Sequence, residues 1–312
     1  MSNRYGLYSA NFDAGSTALA LNQVRSIGTR SQKQMLSIHP SGSIDPAVHV
    51  MSSSRPVVQF VSRDLGTIFG SATPVSITAG LAVPDPSTFM YRRRTPGGAF
   101  SSASEHLVQL VSSGFLHCTD ISADAESQDG AQATLEFIAL SAAGRSPFTL
   151  TDDQAIPGAL TAPAFNTVYF HGPAYLNGVA LPGLISTRVR PGLDFRARLA
   201  DGATFPLYAA SSINARRPMI ELSFLKLDML DSVIGAMTTA AFATTLAVYY
   251  WKGSTNNEGR VAAATAEHLK ISAAAGSWGP EDVTVSENDD GTTTIAVMPT
   301  GTLSLSAASA IP

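Results

Sequence analysis

A single cysteine, Cys118, stands in 312 residues. It leaves no partner for an internal disulfide and no thiolate cluster for zinc or iron–sulfur, so the fold depends on packing. Charge is scarce too, at 14 % of residues, with 20 Lys and Arg against 24 Asp and Glu and a net charge of −4. This excludes the strongly basic footprint of a protein that grips nucleic acid through its phosphates. The apolar share of 45 % is too high for a disordered chain. Met1 to Ala10 has no cationic segment followed by an apolar one, so no export signal of the Sec type is expected. One run, Ser232 to Trp251, goes twenty residues without a charge, about the length that crosses a bilayer. It holds four Thr, a Ser and a Gly, and its counterpart in the first half contains Pro74, Pro84, Asp85 and Pro86. A spanning helix is therefore not expected.

What is present is an internal repeat close to half the chain in length. Arg55-Pro56, followed by Val58, Phe60 and Asp64-Leu65, returns as Arg217-Pro218, followed by Ile220, Leu222 and Asp228-Met229. Glu105-His106-Leu107 returns 162 positions on as Glu267-His268-Leu269. Asp129-Gly130 returns as Asp290-Gly291, and Ala155-Ile156-Pro157 returns as Ala310-Ile311-Pro312. Leu19, Leu21 and Val24 match Val179, Leu181 and Leu184 at a spacing of 160. The order is kept, and the small drifts in spacing mark loop insertions and deletions. Each half carries ten basic and twelve acidic residues, so neither is a basic arm. The period is too long for a solenoid unit, and each copy has the size of a domain. We read a tandem duplication, with module one at 1–157 and module two at 158–312.

Within a module, Val58, Phe60 and Ser62 alternate with Val57, Gln59 and Val61, as Ile220, Leu222 and Phe224 alternate with Met219, Glu221 and Ser223. Period two predicts a strand. From Asp64 or Asp228 the habit changes. Leu227, Leu230, Ile234 and Met237 fall at helical spacing, and an Asp suits a helix start, so each module is expected to hold one short helix. Asp-Gly between alternating runs predicts a hairpin. Eighteen Pro and 25 Gly punctuating short alternating runs point to a mostly β fold: two related antiparallel β-sandwich or barrel modules, each with one helix. The Ser-, Pro- and Arg-rich stretches near Gly28 to Ser54 and Arg188 to Arg216 are candidates for long hairpin arms that reach a neighbour.

Chemistry finds little to work with. Glu and His side by side suggest an acid–base pair, but adjacent residues on a strand point to opposite faces, so the doubled Glu-His-Leu reads as structural. His117 beside Cys118 fails as a metal pair for the same reason, without Cys-x-x-Cys or His-x-x-x-His support. Arg92-Arg93-Arg94 has a phosphate clamp's charge. Its counterpart by spacing, Tyr250-Trp251-Lys252, does not, which favours a solvated loop or a subunit contact. The acidic stretch Asp120 to Asp129, copied at Glu281 to Asp290, lacks a calcium-loop order and reads as a solubilising turn. No glycine-rich nucleotide fingerprint, Walker loop or Gly-x-Ser-x-Gly elbow occurs. No catalytic, cofactor-binding or metal-binding residue is assigned, and no enzyme is expected.

Asn177-Gly178-Val179-Ala180-Leu181, then Arg217-Pro218-Met219-Ile220-Glu221-Leu222 and Asp228 onward, have first-half counterparts in Ala14-Gly15 through Leu21, Arg55-Pro56 through Phe60 and Asp64 onward. This succession of turn, short apolar strand, polar arm, Pro-led strand and Asp-started helix resembles the tail tube, or major tail, proteins of long-tailed bacteriophages. The resemblance implies a structural virion protein without catalytic residues. Such proteins stack as sixfold rings into a hollow conduit for DNA, made in the host cytoplasm and resident in the virion tail. Two modules in one chain resemble the less common tandem type, in which three subunits make a pseudo-sixfold ring. The partners implied are the chain itself and other tail proteins, with DNA passing through but not stably bound. An acidic excess suits such a bore. A capsid decoration or baseplate protein is the alternative, and a carbohydrate-binding or hydrolytic β-protein a more distant one.

Overall fold

Alternation over Val57–Ser62 and Met219–Leu225 places Val58 and Phe60, and Ile220, Leu222 and Phe224, on one buried face of a strand. The same device recurs along the chain. The structure, a computed structural model, describes residues 4–13, 18–21, 23–30, 33–39, 41, 48–54, 56–94, 105–127, 129–140, 148–155, 168–199, 208–225, 243–254, 259–284 and 292–312. The first half contributes β1 (Arg4–Asp13), β2 (Ala18–Leu21), β3 (Val24–Arg30), β4 (Lys33–Ile38), β5 (Val48–Ser54), β6 (Val57–Ser62), α1 (Leu65–Gly70), β7 (Leu81–Val83), β8 (Ser87–Arg94), β9 (His106–Val111), β10 (Gly114–Asp124), β11 (Gln132–Ala139) and β12 (Phe148–Gln154). The second half contributes β13 (Tyr169–Leu176), β14 (Val179–Ala180), β15 (Leu184–Arg190), β16 (Leu193–Leu199), β17 (Tyr208–Arg216), β18 (Met219–Leu225), β19 (Leu246–Lys252), β20 (His268–Ala273), β21 (Gly276–Thr284), β22 (Thr292–Pro299) and β23 (Ser304–Ser309).

The fold is mostly β and its sheets are antiparallel. One five-stranded sheet has the order β12-β9-β8-β1-β2, and another, read from its far end, β23-β20-β19-β13-β14. Beneath both runs a nine-stranded sheet, β21-β22-β18-β15-β10-β11-β6-β3, with β7 attached to β10. The layers meet as a sandwich. Phe12 of β1 lies 5.5 Å from Phe60 of β6 and 5.6 Å from Phe137 of β11, with Phe89 of β8 edge-on at 5.5 Å. In the second half Leu246, Val248 and Tyr250 of β19 cover Ile220, Leu222, Ile295 and Val297 in the same buried cluster, which is continuous across the two halves. The halves share one core, and the stretch around 157/158 lies outside the described residues.

Turn chemistry follows the sequence. Asn177 (φ 53°) and Gly178 (φ 78°) join β13 to β14 with two left-handed residues, the turn whose twist matches a tight hairpin. Gly130 (φ 72°) ends the β10–β11 turn after Asp129, as expected from Asp-Gly. Asp64 stands at the N-cap position of α1 without a side-chain bond to the helix backbone; instead Thr67 Oγ1 donates to Asp64 Oδ1 at 2.7 Å. The segment from Asp228, expected as the second helix, lies outside the described residues, as do Asp290-Gly291 and Ala14-Gly15. Among the described residues no helix is long and apolar enough to cross a membrane, and the end of the charge-free run, from Leu246 to Trp251, lies in strand β19.

The two candidate arms are hairpins: β4 pairs with β5 and β16 with β17, each a two-stranded sheet continuing the strands on either side. One expectation is corrected. Arg92-Arg93-Arg94 is the end of strand β8, paired with Gly6, Tyr5 and Arg4 of β1, and not a loop. Its spacing partner is also displaced by one residue. Tyr91 faces Leu107 as Tyr250 faces Leu269, so the pairing sets Tyr91-Arg92-Arg93 against Tyr250-Trp251-Lys252. The hydrogen-bond ladder, not sequence distance across a variable loop, decides this register.

Candidate assembly interface

The nine-stranded sheet is continuous because β10 of the first half pairs with β15 of the second. Ile121 faces Val189, Ser122 faces Arg188, Ala123 faces Thr187 and Asp124 faces Ser186. Arg188 Nε donates to both carboxylate oxygens of Asp120 across this junction, at 2.9 and 3.0 Å. Ala125 N donates to Ile185 O at 2.7 Å just beyond it.

The junction consumes one edge from each half and leaves another. β3 stands to β6 as β15 stands to β18. Both pairs slip register after their first residue, between Val24 and Ser26 and between Leu184 and Ser186. β21 likewise stands to β22 as β10 stands to β11. The two ends of the long sheet are thus β3 and β21, the counterparts of the two strands that meet in its middle. Burial follows. Thr187 and Val189 of β15 are buried, whereas Ile27 of β3 is only half-buried and Thr29 exposed. Among the described residues neither β3 nor β21 has a strand on its outer side, and such an edge, with its backbone N–H and C=O groups turned outward, is a template for another strand.

The arms differ in the same sense. Arm two lies on the outer face of the first half, where Phe195 of β16 packs 4.7 Å from Phe115 and 4.4 Å from His117, over Val57 and Ile138. Arg216 Nε donates to Thr78 O at 2.9 Å at its base. Arm one carries exposed Leu36, Ile38 and Val48.

The residues weighed for chemistry serve structure. In the doubled Glu-His-Leu, His106 and His268 are buried, and each Nδ1 accepts a backbone N–H from the neighbouring strand: Arg93 N at 3.2 Å and Lys252 N at 3.1 Å. His268 Nε2–H donates to Ala262 O at 2.9 Å, which sets its tautomer. The adjoining carboxylates pair outward, Glu105 with Arg93 at 3.1 Å and Glu267 with Lys252 at 2.8 Å. The Lys252 ammonium holds the Glu267 carboxyl below the usual carboxylate range, and burial pushes His106 below the usual imidazole value. Burial raises the Cys118 thiol, and neighbouring His117 turns toward Glu136, 3.5 Å from Nε2. That is the opposite of an activated thiolate. Asp129 is bound by Arg25 and Arg63, and its carboxyl is held low chiefly by the Arg25 hydrogen bond. Among the described residues no group of three His, Cys, Asp or Glu is placed to hold a metal.

Away from the core, the long sheet is apolar where arm two sits, at Val57, Phe115 and Ile138, and polar beside it, around Asp120, Arg188 and Glu221. Arginines there are matched with acids: Arg188 with Asp120, and Arg190 with Glu221 at 3.2 Å. The seam and the Phe195 seat escape sequence reasoning because both join residues far apart in the chain; the repeat spacing was the one signal available for them. No family model matches the chain, and no curated protein matches its sequence.

Proposed function

We propose that this chain is a self-assembling structural protein whose copies join edge to edge into closed rings, stacked as a tube in the manner of a phage tail tube. The observation that carries the reading is the β10–β15 junction together with β3 and β21, the two ends of the long sheet among the described residues. Pairing β21 of one copy with β3 of the next repeats a contact already made once inside the chain. Such a contact is heterologous, and a heterologous contact closes into a ring when its rotation divides a full turn. The family resemblance puts three chains, hence six modules, in that ring. Closure removes every edge of the long sheet, which otherwise invites uncontrolled pairing. With the polar part of that sheet's outer face, beside the arm seats, as the wall of a DNA conduit, arginines paired with Asp120 and Glu221 are withheld from phosphates. Module-wise duplication is part of this proposal, supported by the matching strand orders and the matching His106 and His268 bonds.

Negative-stain electron microscopy of the purified protein, or of its source particle, tests the reading. Rings or tubes are expected; monomers at every concentration, or a lattice-bound monomer on a capsid, overturn it. A Thr29→Cys, Val283→Cys variant tests the edge itself. The internal register maps Ile121 and Val189 onto Val283 and Thr29, so these positions should lie about 5 Å apart between chains and form disulfide-linked oligomers.

A further inference from the structure

The cluster beneath arm two has a counterpart in the second half, and methionine fills it. Four of the seven residues of that cluster are Val57 and Ile138 on the sheet and Phe195 and Ile213 on the arm, beside Phe115, Leu140 and Leu193. Strand pairing assigns each of the four an equivalent. Val57 opens β6 after Arg55-Pro56 as Met219 opens β18 after Arg217-Pro218. Phe137 faces Val58 as Val297 faces Ile220, which puts Met298 at the place of Ile138. On the arms, both hairpins slip register near their start, between Asp194 and Phe195 and between Gln34 and Met35, and β16–β17 slips again between Arg198 and Leu199. Phe195 faces Ile213 as Met35 faces Met51. Four of the eight methionines thus stand where the seat and its knob would be.

The seat is uncovered. Ile138 is 0 % exposed beneath Phe195, whereas Met298 is 46 % exposed, and Met219 is half-buried. On arm one, Leu36, Ile38 and Val48, which the register sets on the face opposite positions 35 and 51, are 56 %, 48 % and 51 % exposed. Its own half offers it no such place, because the equivalent surface there is held by arm two.

We infer that the outer face around Met219 and Met298 receives arm one, at Met35 and Met51, of a second copy of this chain. The inference rests on the ring proposed above and adds to it a second contact, side chain to side chain beside the strand-to-strand one. Methionine suits an intermolecular seat that must stay soluble before assembly and fill irregular space after it.

Methionine oxidation with dilute peroxide, read by peptide mass spectrometry, tests this on the intact protein below and above its assembly concentration. Met298 should oxidise readily in the unassembled chain and at least ten-fold more slowly once rings are seen by microscopy, with Met35 and Met51 protected together with it. Equal Met298 oxidation in rings and in free chain overturns the inference and leaves the strand-edge reading standing. Protection of Met298 at every concentration also overturns it, because a segment of the same chain then covers the seat. Absence of rings together with absence of the Thr29–Val283 disulfide overturns both. As a second measurement, Met298→Glu, a change at an exposed position, should raise the concentration needed for assembly at least ten-fold. Assembly at the unchanged concentration counts against the seat.

Discussion

Arg188 and Asp120, 68 residues apart, hold a two-oxygen hydrogen bond across the one place where, among the described residues, the first and second halves share a strand-to-strand ladder. Asp120 is largely shielded and Arg188 half exposed. A double-mutant cycle with Arg188→Ala and Asp120→Ala, followed by urea unfolding, should give a coupling of about 0.5–1 kcal/mol. Additivity would mean that the pair contributes nothing to the junction.

The doubled Glu-His-Leu separates buried from exposed contributions. His268→Ala strands the Lys252 N–H and the Ala262 carbonyl inside the protein, and the expected loss is about 1–3 kcal/mol. Glu105→Gln and Glu267→Gln break surface pairs and should leave the Tm nearly unchanged. Thermal unfolding of the variants side by side decides the ranking.

Stability should fall on mild acidification. Burial lowers the His106 and His171 imidazoles in the folded chain, so near pH 6.5 the unfolded chain takes up protons that the folded chain refuses. Their contribution is complete above about pH 6.5 and is lost as pH drops below it. A second decline follows at lower pH, where Asp129 and Glu267, held low by Arg25 and Lys252, finally protonate. Tm measured from pH 8 to pH 3 should show both limbs, and His171→Asn should flatten the first.

Gly130 is irreplaceable on two counts: its φ is 72°, and a Cβ there would meet Tyr169 O at 2.8 Å, at the first strand of the second half. The neighbouring Ala131 N donates to that same oxygen at 2.7 Å. Gly130→Ala should cost at least about 1 kcal/mol, more than relief of unfolded-state entropy returns. An unchanged urea midpoint would contradict the close approach.

In the proposed tube, neutralising the acids that hold the arginines should make the polar part of the sheet's outer face bind DNA. Asp120→Asn with Glu221→Gln frees Arg188 and Arg190. Assembled protein carrying both changes should retain duplex DNA at low salt, with a salt slope steeper by about 0.9 for each phosphate newly bound. Unchanged DNA retention would place the polar face of the long sheet elsewhere than the bore.

Much of this protein was legible in the chain itself, where the cause is local. Alternation at Val57–Ser62 and Met219–Leu225 made strands because period-two burial admits no other regular element. Asn177-Gly178 made a tight turn because both positions need positive φ, and Asp64 does precede a short helix, although its side chain makes no capping bond there. The arms, too, were visible as polar stretches at equal places in the repeat. Tertiary structure alone decided the rest. The one-residue shift that aligns Arg93 with Lys252 comes from a hydrogen-bond ladder, which counts paired residues and ignores loop length. That β10 meets β15, so that β3 and β21 are the edges left over, depends on contacts between halves that no local pattern encodes. Ile138 and Met298 stand at the same place in their ladders, yet one is sealed and the other bare. The difference lies in what packs over them: Phe195 reaches the first from the other half of the chain, and the described residues set no arm over the second.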